Sequence, residues 1–299
     1  MIDDVADLTK KVFNSDAKDT LAFGKVGIEK ESLRISQSII SRKQHQESMG
    51  SPLCHRYITT DFSEALLELI TPPLIDKSAG LLFLDNMHHF VSHKIDDEII
   101  WPFSMPPFVQ LDSEIPIASY GSSNLALFKT AYRNGLSHRY GRVMQAIAGI
   151  HFNYSLPEKI WCSSLFTKEQ IDSKEFRANI YFRTLRNLHR MNWLVLYLFG
   201  ASPIVSKNFL SNKHTGFQKL DGHSYYLPYA TSLRMSDLGY QNVHQSKLAI
   251  SLNSLQEYTI NLKLATETNC EDYQKIFQET KDIYPQINSN ILQIEDEYY

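Results

Sequence analysis

The stretch Val26-Gly27-Ile28-Glu29-Lys30-Glu31-Ser32-Leu33-Arg34-Ile35 restricts the fold of this chain more than any other. Read as a strand, it puts Glu29, Glu31 and Leu33 on one face and Ile28, Lys30, Ser32 and Arg34 on the other, because side chains alternate with period 2. The two carboxylates then stand roughly 6.5 Å apart along the strand. Like charges this close repel and raise each other's pKa, so the pair must stay in water or meet cations. Two readings are open at this point: a solvated strand face with Lys30 and Arg34 as neighbours, or a site for a divalent cation.

A chain of 299 residues with 43% apolar content is long enough to bury a sizeable core, as one large domain or two small ones. Its 30 basic and 33 acidic residues leave a net charge of −3, without the strong field that nucleic acid or an anionic membrane calls for. The acidic N-terminus lacks a basic-then-apolar signal pattern. The longest apolar run, Trp193 to Val205, is broken by Gly200, Ser202 and Pro203 and is too short to span a bilayer. Cys54, Cys162 and Cys270 are widely spaced, which suits reduced thiols in a cytoplasmic protein better than a disulfide frame or a zinc site. Neither GxGxxG nor GxxxxGK[ST] occurs, so a nucleotide bound here is not held by either Gly-rich loop. No repeat or Gly/Pro/Ser-rich linker marks an interior domain boundary.

Residues 1–23 read as a polar helical lead-in and Ser36 to Pro52 as an exposed loop. The run Glu64-Ala65-Leu66-Leu67-Glu68-Leu69-Ile70 is ambiguous: Glu64 and Glu68 at i,i+4 suit a helix, whereas alternation suits a buried strand. Pro72 and Pro73 end it either way. A carboxylate inside so apolar a run needs a partner if it is buried. Residues 77–95 form an amphipathic helix whose His88, His89 and His93 read as a solvated face. The loop Trp101 to Pro107 reads as a hydrophobic plug. A helix over 124–140 carries Lys129, Tyr132, Arg133, Arg139 and Tyr140. From Met144 to Tyr154 a strand is expected, with Met144, Ala146, Ala148, Ile150, Phe152 and Tyr154 packing on the core and Gln145, His151 and Asn153 in line on the other face. The longest helix spans 174–199 with Phe176, Ile180, Leu185 and Leu188 turned inward. The Tyr-rich run 223–240, with Arg234, suits recognition of a small polar ligand. Helix 245–266 and a terminal strand over 286–299 complete the reading.

Five runs then carry a resemblance: Gly27-Ile28-Glu29-Lys30-Glu31; Ile58 to Phe62 through Thr71-Pro72; Gly149-Ile150-His151-Phe152-Asn153; Tyr226 to Arg234; and Ile287-Asn288-Ser289-Asn290. In this order they resemble the proteobacterial type of glutamate–cysteine ligase, over nearly everything from Gly24 to Tyr299. The resemblance implies an α+β, glutamine-synthetase-like ligase fold, with an antiparallel sheet forming a cup for ATP, metals and two amino acids. It implies metal ligands at Glu29, Glu31, Asp61, Glu68 and His151, a set that suits Mg²⁺ or Mn²⁺. It also implies that Arg234 and Gln145 hold the amino-acid substrates, Arg234 at the catalytic centre. Phe62, Tyr132, Tyr240 and Tyr299 are then the cysteine pocket.

The implied reaction joins the γ-carboxylate of L-glutamate to L-cysteine through γ-glutamyl phosphate, with ATP as co-substrate, as the first step of glutathione synthesis. Members of the family run on well past the last residue here, and the chain lacks their Arg-Gly-Gly and the following Glu-Tyr-Ile-Glu-Val-Arg segment. Residues 1–299 are therefore expected to be the N-terminal portion of a single catalytic domain that lacks part of the site. The alternative is a protein that binds Mg-nucleotide or an amino acid without the chemistry.

Overall fold

The computed structural model describes residues 2–107, 109, 111–200, 202–210, 215–236, 248 and 250–298. Two short helices, α1 (Ile2–Phe13) and α2 (Ala17–Leu21), lead into strand β1 (Lys25–Ser36). Next come β2 (Ile39–Ile40), β3 (Ile58–Thr60), β4 (Leu66–Ile70), helix α3 (Lys77–Ser92) and β5 (Ile99–Ile100). Helices α4 (Asn124–Tyr140) and α5 (Arg142–Gln145) precede β6 (Ile150–Ser155). The remainder comprises α6 (Lys168–Asp172), α7 (Lys174–Phe199), β7 (Ile204–Ser206), β8 (Gln218–Lys219), β9 (Ser224–Tyr226), α8 (Leu255–Glu267) and α9 (Glu271–Glu279). The architecture is α+β, with a six-stranded and a three-stranded antiparallel sheet. No described helix is long and apolar enough to cross a membrane.

Strand β1 is the spine of the larger sheet. The N–H of Arg34 donates to Ala65 and its C=O accepts from Ser41, so β4 and β2 follow one another along one edge. The N–H of Glu31 donates to Gly149 and the C=O of Leu33 accepts from Trp101, which puts β6 and β5 on the other edge. Strand β3 pairs outside β4. Period-2 alternation divides the sheet into two faces. On one, Leu67, Leu69 and Ile58 bury against Met87, Val91 and Ile95 of α3 and its C-terminal end. On the other, Leu33, Ile35, Leu66 and Phe62 form a core with Leu136 of α4. Arg34 is fully buried and donates to Glu98 at 2.8 Å and to the carbonyls of Glu64 and Lys43. The Glu64 carboxylate accepts from the N–H groups of His45 and Ser119, both at 2.7 Å, and so ties two loops to the sheet.

Several sequence expectations give way to tertiary contacts. The connector 36–52 contains β2, and Ile40, Ser41 and Met49 within it are buried. Met144 to Tyr154 is not one strand: residues 142–145 form a helical turn, because the Asp112 carboxylate accepts from the N–H groups of Arg142 and Val143 just after Gly141 at φ +81°. Of the expected apolar face, Ala146 and Ala148 are buried, but Ile150 is 69% and Phe152 65% exposed. Helix α7 has no buried residue, and Leu188 is exposed where it was expected to pack inward. Helix α8 begins at Leu255, because Ser254 caps it by accepting from the Glu257 N–H. Residues 286–298 form no strand. Gln293 instead accepts from the Ile287 N–H, and Glu297 from the Gln293 N–H, so side chains take the place of a ladder.

Candidate active site

The register of the larger sheet brings the acidic residues onto one face. Glu31 stands opposite Glu68 across β1 and β4, Glu29 opposite His151 across β1 and β6, and Thr59 opposite Glu68 across β3 and β4. Lys30 and Arg34 lie on the other face, Arg34 committed to Glu98 and Lys30 Nζ to Ser32 Oγ. The solvated-face reading of Glu29 and Glu31 therefore loses its basic neighbours, and the carboxylates are left facing one another.

One ligand atom from each of Glu29, Glu68 and His151 lies within 4.8 Å of the others. His151 Nδ1 is 3.3 Å from Glu29 Oε2, and its Nε2 is 3.7 Å from Glu31 Oε1. Glu31 is buried and its Oε2 accepts the Gly149 N–H at 2.6 Å. The absence of a side chain at Gly149 suits this close approach of the two strands. Burial, followed by the negative charges of Asp61, Glu31 and Glu29, pushes the Glu68 carboxyl up to about 8. A carboxyl held protonated by its neighbours is the electrostatic signature of a site that wants positive charge. Two carboxylates and an imidazole, with further carboxylates at hand, fit a hard divalent cation and do not fit a structural zinc.

Beside this row opens a cavity of about 1260 Å³, whose lining includes Glu31, Asp61, Gly149 and His151. Tyr132, Gln145, Glu297 and the loop Trp101–Pro107 form further wall, so the expected plug is a cavity wall. Gln145 comes to the cavity from the α5 turn, and its Nε2 is buried with no hydrogen-bond partner among the described residues. Phe62 does not line the cavity; it is fully buried in the core against which Tyr132 packs. Arg234 belongs to the turn Leu233–Met235, whose neighbours Ser232, Met235 and Ser236 line the cavity. Tyr240 and Tyr299 lie outside the described residues. Sequence reading missed Glu297, which is buried on the cavity wall and bonded to Tyr140; nothing in its local pattern separates it from Glu295.

Residues 9–299 match the sequence model of the glutamate–cysteine ligase family. The glutamate–cysteine ligase of Alcanivorax borkumensis is 47% identical over 295 residues, which is 96% of this chain and 56% of that protein. This chain belongs to the glutamate–cysteine ligase family. Among solved structures, glutamate–cysteine ligase from Francisella tularensis in complex with AMP superposes with a TM-score of 0.84 at 40% identity, covering 92% of this chain and 54% of that one. A bifunctional glutathione synthetase from Pasteurella multocida matches with a TM-score of 0.63 at 28% identity, over 82% of this chain and 30% of that one. This member of the family spans about half the length of the Alcanivorax borkumensis and Francisella tularensis ligases.

Proposed function

We propose that the chain forms the cation- and nucleotide-facing part of an ATP-dependent ligase that joins the γ-carboxylate of L-glutamate to the amine of L-cysteine. The observation that carries this reading is the Glu29, Glu68 and His151 cluster, joined through His151, Glu31 and Asp61 to the lining of a large cavity. Glu29, Glu31, Asp61, Glu68 and His151 would hold Mg²⁺ or Mn²⁺. Such an ion, when bound, supplies charge neutralisation for phosphate and carboxylate oxygens. The glutamate γ-carboxylate attacks the γ-phosphorus of ATP, and ADP leaves. The cysteine amine then attacks the carbonyl of γ-glutamyl phosphate, loses a proton and expels phosphate. Both steps depend on alignment and charge balance more than on a protein nucleophile.

In this reading Arg234 supplies a two-pronged donor for a substrate carboxylate, and the unpartnered Gln145 amide supplies a further donor. Tyr132, backed by buried Phe62, forms the thiol pocket together with Tyr240 and Tyr299. The glutamine-synthetase-like cup and a cytoplasmic setting belong to the same proposal. A second reading is a protein that binds Mg-nucleotide or an amino acid without turnover.

Phosphate release by the purified chain with ATP, Mg²⁺ and L-glutamate, with and without L-cysteine, separates the two. Cysteine-dependent release abolished by Glu29→Gln supports the ligase. Stabilisation by Mg-ATP without turnover, lost in the same variant, supports the binding protein. If there is no turnover and neither Mg-ATP nor the two amino acids raise the melting temperature, both readings fall.

A further inference from the structure

The row of carboxylates runs across the sheet from His151 on β6 to Asp61 beyond β3, and at the β3 end the sign of the charge reverses. Lys129 and Arg133, four residues apart on α4, share one helix face. Both sit on a single aromatic ring: Lys129 Nζ is 5.2 Å and the Arg133 guanidinium carbon 4.8 Å from the centroid of Tyr120. Tyr120 is itself fixed, its hydroxyl donating to the carbonyls of Thr60 at 2.7 Å and Asp61 at 3.0 Å. Arg133 Nε donates to the same Asp61 carbonyl, and its Nη1 to the Lys129 carbonyl at 3.1 Å.

Two half-buried cations held against one ring repel each other, and burial together with Arg133 keeps the Lys129 ammonium below the ordinary lysine range. Neither cation forms an ion pair with a described residue, although Glu68 lies close enough for its charge to be felt by both. Surface cations relieve such crowding by turning into water; the Tyr120 ring and the Asp61 carbonyl hold these in place. An anion between them would relieve it, and the neighbouring carboxylates exclude any anion that does not arrive with a divalent cation.

The geometry points to Lys129 and Arg133 as an anion site that holds a phosphoryl group against a divalent cation carried by Glu68 and Asp61. The inference rests on the cation reading of the carboxylate row and adds a further binding element to it. Tetrahedral, multiply charged and rich in acceptor oxygens, a phosphoryl group can bridge a metal ion on one side and an ammonium and a guanidinium on the other.

The test uses the full chain and the variants Lys129→Met and Lys129→Arg. Three affinities are measured: free Mn²⁺ by electron paramagnetic resonance, inorganic phosphate, and Mg²⁺ with a non-hydrolysable ATP analogue. Lys129→Met is expected to weaken phosphate or the analogue by about tenfold, the scale of one charge-assisted hydrogen bond. Mn²⁺ binding should be unchanged or tighter, because a repelling charge has gone, and Lys129→Arg should restore most of the anion affinity. Loss of phosphate binding assigns the pair to a free or transferred phosphoryl group; loss confined to the analogue assigns it to the nucleotide's own phosphates. The inference is overturned if both anion affinities survive in Lys129→Met, if anion and Mn²⁺ affinities fall together as a merely structural lysine would make them, or if the wild-type chain binds neither anion. Phosphate is measured with Mg²⁺ present: a wild-type chain that takes no Mn²⁺ defeats the cation reading itself, whereas one that takes Mn²⁺ but keeps both anion affinities in Lys129→Met defeats the anion pair alone.

Discussion

Glu68 concentrates the physics of the site in one side chain. Its carboxyl is raised from the ordinary 4.5 to about 8, so at pH 7 the cation-free native state keeps a proton that the unfolded chain has released. The native state binds more protons between these values, and stability must fall as pH rises from about 4.5 to about 8, by on the order of a few kcal/mol in total. Urea titrations across this window in a chelator should show the decline, and saturating Mn²⁺ should flatten it by taking the proton's place. A stability that rises with pH there would contradict the burial and repulsion described. Glu68→Gln should leave the melting temperature in chelator at pH 7 nearly unchanged, since the amide resembles the protonated acid, while abolishing the upward shift with Mn²⁺. That Glu29 and Glu31 share a face was legible in period-2 alternation; that Glu68 joins them was not, since its own run suits helix and strand alike and the register of β4 on β1 decides it. The same alternation turns Lys30 and Arg34 away from them, but what Arg34 pairs with instead was not legible, because it is Glu98, sixty-four positions away.

Helix α4 and the segment 286–298 show how elements acquire a structure their own residues do not announce. Arg139 is buried; it donates to Gln286 Oε1 at 3.1 and 3.0 Å and to the Asn288 carbonyl at 2.7 Å, and pairs with Glu297 at 3.3 Å. Gln293 Nε2 donates to the Tyr132 carbonyl. A Cβ at Gly135 would come within 2.0 Å of Gln293 Oε1. Alanine is worth about 1 kcal/mol over glycine in a helix interior, and a free glutamine could swing aside. This one is buried and bonded at both ends, so overpacking of about 1–3 kcal/mol should win. Gly135→Ala is therefore expected to lower stability in urea, and a stabilised variant would show the segment to be loosely held. Arg139→Met takes the counter-charge from the buried Glu297 carboxylate, which keeps the Tyr140 hydroxyl and the Gln293 N–H, with an expected cost of about 3–5 kcal/mol. A 3.6-residue period makes α3, α4 and α7 readable without tertiary information. The α5 turn and the terminal segment are not readable in this way, since Asp112 in one case and Arg139 in the other impose the backbone from a distance.

At the scale of the molecule, the larger sheet is covered unevenly. Helix α3 backs β1 and β4, whereas Ile150 and Phe152 project from β6, which pairs with β1 alone among the described strands. Trp193, Tyr197 and Phe199 on α7 are more than half exposed as well. An open strand edge next to exposed apolar side chains favours association. Sedimentation should show a weight-average mass that grows with protein concentration, and Phe152→Glu should reduce that growth. A mass that stays monomeric at every concentration would count against it. The general architecture, α+β with an antiparallel sheet, was implied by the family resemblance and not by the alternating runs, which mark strands without pairing them. Which of those apolar runs would be covered was not legible, because alternation marks a face without saying what lies on it.

The central position of β1 has a consequence for how the protein comes into being. Its partner His151 lies 122 positions after Glu29, so during synthesis the acidic strand leaves the ribosome long before the residues that complete its site. Until β6 arrives, Glu29, Glu31 and Glu68 have no imidazole beside them and Gly149 cannot donate to Glu31. Closing so long a loop is slow compared with forming helices. On the proposed cation reading, uptake of a divalent cation should therefore coincide with the late, long-range step of folding rather than with the formation of any one element, and a stopped-flow Mn²⁺ signal would time that step directly.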